Sequence, residues 1–556
     1  MKRLSGVVLC CVSLVFGVIA HAQTSDEMVD VIVQYRSSQA WTTHTAGAHH
    51  AIHRGSFHSI NAEALTVPQS ELAALANDPD VAHISPNLVL SAAGVQFDYT
   101  EDTVFAPAAW LIGQNGNGIG VAVIDSGVSA MNDWGSGSAS RLVYSESFVN
   151  LGTSNYDKST ADAYGHGTHV AGIIGANGAT STNNTAGLTI QGLAPKVNIV
   201  NLRALDQNGG GRDSDVIAAI DRAIQLKNTY NIRIINLSLG RPVYESYKLD
   251  PLCQAVEAAW NAGILVVVAA GNNGRDNSHG TQGYGTITAP GNDPYVLTVG
   301  AMKSEGTSQR GDDTMASYSS KGPTAIDHIV KPDLVAPGNR IISLTSTTST
   351  LYKNYSQARV QLSTPQGAAE NFLQLSGTSM AAAVASGAAA LLFDLDGTLS
   401  PDTVKARLMK SASKDLPDST VVVDTTTGSS YVSSDDVFTV GAGYLNVLTA
   451  LLTFDSVNSG KSAISPTASF DSKSKKVTML NSNGIVWGTN VVWGTNIVWG
   501  TSIIAGLDSL GNSLLTGSNV VWGTGSPNAT NVIWGTNVVW GTTTVDSPTL
   551  TVNGEN

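Results

Sequence analysis

The sequence predicts an α/β chain whose main body is a doubly wound, mostly parallel sheet, preceded by a small α+β module and followed by a β-type repeat. Three observations carry this expectation. Near-continuous Val/Ile/Leu runs alternate with helical stretches over residues 105–454, a shorter strand–helix–strand pattern fills 29–92, and a Trp-Gly-Thr hexad recurs over 485–542. Strands buried on both faces need apolar side chains at successive positions, whereas one-sided strands alternate with polar ones. The runs "GIGVAVID", "VNIVNLRAL", "IRIINLSLG", "ILVVVAAGN" and "YVLTVGA" are of the first kind, and "DSDVIAAIDRAIQLKN" and "AVEAAWNAG" between them read as covering helices.

Taken in order, the chain of 556 residues opens on Lys2 and Arg3, an apolar run from Leu4 to Ile19, and Ala20-His21-Ala22. A positive start, a short apolar core and a small-x-small site make residues 1–22 an export signal. The run is shorter than the roughly 20 residues of a membrane-spanning helix, so no span is expected in the mature form and the protein is expected to be secreted. Cys10 and Cys11 leave with the signal, and Cys253 remains, on the apolar side of "PLCQAVEAAWNAG", where a buried role is expected. The net charge of −13, with no basic run, excludes nucleic acid and anionic membrane surfaces as partners.

Residues 29–92 hold "VDVIVQY" as a strand, "ALTVPQSELAALANDPDV" as a strand and helix, and "AHISPNLVL" as a closing strand. Residues 455–484 are rich in Ser and Lys and read as a linker. Beyond them Trp487, Trp493, Trp499, Trp522, Trp534 and Trp540 each precede Gly-Thr. Six is a multiple of two, so in extended chain the tryptophans of one block share a face, while a helix would scatter them. Such a face suits either stacking on sugars or packing into a structural module, and the sequence leaves both open.

Three motifs then occur in the order Asp, His, Ser: "VAVIDSGV" ends an apolar strand at Asp125, "YGHGTHVAGIIGA" opens a helix at His166, and "SGTSMAAAVASGAAALL" opens another at Ser379. A serine hydroxyl is a weak nucleophile until an imidazole accepts its proton, and that imidazole needs a carboxylate to fix its tautomer. The chain here resembles the subtilisin-like serine proteases (subtilases, the peptidase S8 family) over residues 29–454. The resemblance implies a subtilisin-like fold, with 29–92 an inhibitor and chaperone propeptide of the I9 type and 105–454 the catalytic domain. It implies Asp125 as the orienting carboxylate, His166 as general base and acid, and Ser379 as nucleophile. It implies, too, that Asn272 in "VVVAAGNNG" donates to the oxyanion, beside the backbone N–H of Ser379. His169 falls on another side of its helix and is expected to be structural. Also by resemblance, Ser238, Leu239 and Gly240 with Ala269, Ala270 and Gly271 wall the primary pocket. Asn208, Gly209, Gly210 and Gly211 form the edge that pairs with an extended peptide. One departure is that Ala383 and Val384 stand where the family carries proline and histidine after GTSMA.

A rival motif, "FDLDGTL", resembles the dehalogenase-like phosphatases, with Asp394 and Asp396 as nucleophile and acid around magnesium. Ala-rich sequence before it favours helix, on which positions two apart diverge by roughly 200°. The expected reading is a helix end, a Gly397 turn, and a new helix capped near Ser400 with Pro401 at its first position.

The sequence thus points to a serine endopeptidase made as a preproprotein, acting on polypeptides through an acyl-enzyme, with its own propeptide as intramolecular inhibitor. No cofactor is expected in the chemistry. Structural calcium occurs in the family, but no loop here specifies a site. The competing reading is a surface- or carbohydrate-binding protein acting through the Trp repeat, its protease domain used only for self-maturation.

Overall fold

The computed structural model describes residues 28–37, 50–87, 99–150, 157–182, 184, 188–278, 280–364, 367–417, 419–424, 428–434, 436–457, 461–471, 476–480, 498–499, 502–507, 513–516 and 555. It divides into two units, before and after residue 95. The expected export signal lies outside the described residues.

The first unit is a four-stranded antiparallel sheet made of β1 (Met28–Tyr35), β2 (Ile52–Phe57), β3 (Ala62–Pro68) and β4 (Val81–Pro86), in the order β2-β3-β1-β4. The helix α1 (Leu72–Ala76) joins β3 to β4. Alternate residues Val31, Val33 and Tyr35 of β1 point to one face, where Leu65, Val67, Leu75 and Val81 complete a small core. The described residues of this unit thus combine an antiparallel sheet with one short helix.

In the second unit the strands β5 (Gly120–Asp125) and β6 (Leu142–Ser147) are followed by helix α2 (His166–Gly175), then β7 (Asn198–Arg203), α3 (Asp213–Tyr230), β8 (Ile232–Leu237), α4 (Pro251–Asn261), β9 (Leu265–Ala269) and β10 (Leu297–Lys303). With β11 (Thr314–Met315) and β12 (Leu334–Pro337) they form an eight-stranded sheet ordered β11-β10-β9-β8-β5-β7-β6, β12 also pairing with β10. All pairings are parallel except that of β10 with β11.

The apolar runs divide their side chains between two cores. Val121 and Val123 of β5 and Val267 of β9 face one side, while Ala122 and Ile124 of β5 and Val266 and Val268 of β9 face the other. Helices α3 and α4 cover the second side; α2 and α5 (Thr378–Leu395) fill the first. Between β12 and α5 lies a small three-stranded sheet of β13 (Ile341–Leu344), β14 (Arg359–Thr364) and β15 (Gly367–Leu375). Helix α5 is apolar and long enough to pass for a membrane span, yet 83% of it is buried in the unit, and its Ala and Gly residues leave room for close neighbours. It runs unbroken through Ala383 and Val384. Cys253 of α4 is fully buried, and burial pushes its thiol up, as suits a packing role.

The linker expectation is corrected in part. Residues 461–471 pack on the body. Ser465 Oγ donates to Asp333 Oδ1 at 2.5 Å and accepts from Lys405 Nζ at 2.9 Å, while Val330 N donates to Pro466 O and Ala468 N to His328 O. Ser and Lys content suggested solvent, but these polar groups satisfy a buried charge cluster. Strands β18 (Thr467–Asp471) and β19 (Lys476–Leu480) form a sheet with β20 (Val498–Trp499), β21 (Ser502–Leu507) and β22 (Ser513–Thr516); β16 (Ser419–Val423) and β17 (Ser430–Ser434) make a separate hairpin. Of the repeat tryptophans, Trp499 lies in a strand, and the other five lie outside the described residues.

Candidate active site

In an open parallel sheet, side chains converge at the carboxyl ends of the strands where the strand order turns back. Strand β5 sits at that point, between β7 and β8. Asp125 is its last residue, Leu205 follows β7, Ser238 follows β8, and Asn272 follows β9. The helices α2 and α5 bring His166 and Ser379 to the same end, each in the first turn.

His166 Nδ1 donates to Asp125 Oδ1 and Oδ2, both at 2.9 Å. The carboxylate is fully buried and the imidazole nearly so. With the proton fixed on Nδ1, the lone pair lies on Nε2. Burial alone would lower the imidazole pKa, but the charge and hydrogen bond of Asp125, with the charge of Asp162, leave it above its ordinary 6.5. Gly167 follows His166 because a Cβ there would sit 2.2 Å from Gly127 O and 3.1 Å from Asp125 Cβ.

His166, Ser238, Asn272 and Ser379 line one cleft of about 360 Å³. Ser379 Oγ donates to Ser238 O at 3.2 Å rather than to His166, and Ser238 Oγ returns a bond to Ser379 O at 2.8 Å. Rotation about χ1 redirects this hydroxyl, and such contacts tighten when substrate is bound. Thr378 N and Oγ1 both donate to Asn272 Oδ1, at 2.9 and 3.0 Å, which leaves the Asn272 Nδ2 amide as the free donor of that side chain. Ser379 is the second residue of α5, where a backbone N–H has no intrahelical acceptor. His166, Asn272 and Ser379 thus line one cleft, and between them carry the kinds of group that acyl transfer requires: a hydroxyl, an imidazole and N–H donors.

Of the other residues singled out in the sequence, Leu239, Gly240, Gly209, Gly210 and Gly211 line the cleft. Asn208 does not: it is exposed, and its N–H closes a turn onto Asp206 Oδ1 at 2.8 Å. Ala269 and Ala270 are buried behind the cleft, where Ala270 N donates to Val299 O, and with Gly271 they set the backbone that carries Asn272. Gly209 has φ +77°, and its backbone lies against the Tyr164 ring so closely that a Cβ would be 2.6 Å from it. His169 is buried, with Nε2 between Ile341 O and Leu373 O at 3.1 and 3.0 Å, and burial lowers its pKa to about 3.

Several functional residues escaped the sequence reading. Asp162, fully buried, accepts from Ser126 Oγ at 2.8 Å, Gly165 N at 2.7 Å and Thr168 N at 2.7 Å, and Ser126 N donates to Asp125 Oδ1 at 2.7 Å. Burial raises the Asp162 carboxyl even against these donors. Ser386 Oγ donates to Asn236 Oδ1 and Asn236 Nδ2 to Ser238 Oγ, both at 2.9 Å, tying β8 to α5 behind Ser379. Arg241, at the cleft mouth, bridges Asp213 and Asp250 at 2.8 Å each. Only the polar residues inside otherwise apolar runs, Asn236 and Ser386, carried a sequence signal.

Asp394 Oδ2 accepts from Asn115 N and Gly116 N, at 2.8 and 3.0 Å, and Asp396 caps a turn through Thr398 beyond the end of α5. The helix α6 (Pro401–Ser411) starts at Ser400, whose hydroxyl accepts from Thr403 N. The phosphatase motif is thus a helix end whose carboxylates serve backbone donors. Among the described residues no group of three or more His, Cys, Asp or Glu side chains is arranged for a metal ion.

Residues 116–441 match the Subtilase family. The chain is 37% identical over 304 residues to the serine protease AprX of Bacillus subtilis (strain 168), covering 54% of this chain and 62% of that one. It is 32% identical over 356 residues to subtilisin E of the same strain, covering 64% of this chain and 76% of that protein. It is also 31% identical over 370 residues to the extracellular serine proteinase of Thermus sp. (strain Rt41A), covering 64% and 72%. With the matched segment holding the whole cleft, the chain belongs to the subtilase family of serine endopeptidases.

Proposed function

We propose that the protein is a secreted endopeptidase in which Ser379 attacks the scissile carbonyl, His166 Nε2 takes its proton and later delivers it to the leaving amine, and Asp125 holds the imidazolium. The carrying observation is the double hydrogen bond from His166 Nδ1 to the buried Asp125 carboxylate, in the cleft that also holds Ser379. Asn272 Nδ2 and the Ser379 N–H stabilise the tetrahedral oxyanion. In subtilisin itself, the worked case for this effect, loss of the corresponding asparagine costs about 10²–10³ in turnover. An extended polypeptide pairs with the backbone of Gly209–Gly211, while Ser238–Gly240 select its side chain. No cofactor enters the chemistry.

We further propose that residues 1–22 direct export, and that residues 29–92 inhibit and assist folding until cleaved. The antiparallel sheet with its own core over 28–86 supports an independently folding module. Mature protein should hydrolyse casein, and Ser379→Ala should abolish this and, after secretion, keep the mass of the chain that still carries residues 29–92. Loss of residues 29–92 without any casein hydrolysis would instead favour the binding reading of the Trp repeat.

A further inference from the structure

Among the described residues beyond the repeats, Glu555 packs on the catalytic unit, and its side chain is fully buried. Its carboxylate has three donors: Arg275 Nη2 at 2.7 Å, Ser317 N at 3.0 Å, and Ser317 Oγ. Arg275 Nε in turn donates to Ser317 Oγ at 2.7 Å, so the guanidinium and hydroxyl face the carboxylate as one linked pair. Asn339 grips the backbone of the same residue: its Nδ2 donates to Glu555 O at 3.0 Å and its Oδ1 accepts from Glu555 N at 2.9 Å. Arg275 is further held by Asp424 at 3.2 Å and lies over the Tyr431 ring, 4.5 Å from its centroid.

These contacts have two functions. An Asn amide that pairs with both N–H and C=O of one residue reproduces a strand's pairing and accepts any extended chain. A buried Arg beside an N–H and a hydroxyl accepts only an anionic or strongly accepting side chain, since an apolar one would leave those donors unpaired. We propose that Arg275, Ser317 and Asn339 form a peptide-binding site selective for one acidic residue in extended backbone, filled in cis by Glu555. The site clasps Glu555 onto the catalytic unit. Its place in the fold is next to the chemistry: Arg275 lies on the segment carrying Asn272, and Gly338, beside Asn339, accepts from Gly377 N just before α5.

The test uses the full chain bearing Ser379→Ala, so that its readouts do not involve turnover and a failure of the proteolytic reading would leave them intact. Glu555→Gln should speed hydrogen exchange at the Ser317 amide by at least ~10-fold and lower Tm by ~3–8 °C. Arg275→Gln should do the same, and the double variant should melt no lower than the worse single, because both remove one interaction. Glu555→Asp should recover part of the loss. If Arg275→Gln does not fold, Asn339→Ala with Glu555→Gln forms the second cycle. An unchanged Ser317 amide and Tm in Glu555→Gln, or strict additivity in either cycle, would overturn the proposal.

Discussion

Asp125 does not act on His166 alone: Ser126 and Asp162 form a second layer that holds the carboxylate and the start of α2 in register. The charges of Asp125 and Asp162 both favour the imidazolium, so His166 should be protonated at pH values where a free imidazole is not. Because the base must be neutral to act, the acid limb of kcat/KM should fall at a pH above 6.5. Asp125→Asn removes the nearer charge and frees the tautomer; activity should drop by about 10⁴-fold, the size seen for such a change in a trypsin-type triad. Asp162→Asn keeps the shape and removes the farther charge, and should move the acid limb to lower pH with a smaller loss of kcat. A pH–rate profile of both variants checks the sign. The motifs around Asp125, His166 and Ser379 made those residues legible in the sequence. Asp162 was not, because a lone Asp in "ADAYG" looks like any loop carboxylate until the fold aims three donors at it.

At the scale of elements, α5 determines where Ser379 sits, and small side chains determine where α5 sits. A Cβ on Gly387 would be 2.7 Å from Leu193 Cβ, so Gly387→Val should cost about 1–3 kcal/mol, read from urea unfolding in the Ser379→Ala background. The buried strands and their helices were readable from run length and apolar content, because burial on both faces leaves a compositional signature. Alanine-rich "AAAVASGAAALLF" likewise gave the helix that disqualified the aspartate motif. Illegible elements were those made by distant partners: the three-stranded sheet of β13–β15, and the packing of 461–471, whose Ser and Lys residues resemble solvent-facing chain. Pocket walls carried over from a family pattern included Ala269 and Ala270, which the fold turns inward to complete β9 and its pairing with β10.

For the whole molecule, the boundary of the catalytic unit lies farther along the chain than composition suggests. Lys331, Asp333 and Lys405 are all fully buried, and Ser465 joins their hydrogen bonds. A chain ending at 454 would leave this cluster short of a partner, at a cost of about 1–3 kcal/mol. A chain ending at 480 keeps Ser465 and should melt measurably higher by calorimetry, both carrying Ser379→Ala. Equal melting temperatures would return 455–484 to the status of a linker.

The central claim is that Ser379 is the hydroxyl activated by His166 against Asp125. A fluorophosphonate probe, which reacts with an activated serine and is then located by peptide mass spectrometry, tests it directly. Wild-type protein should carry a single adduct on the peptide containing Ser379, and His166→Ala should lose it. An adduct on another serine, or undiminished labelling in His166→Ala, would contradict the account.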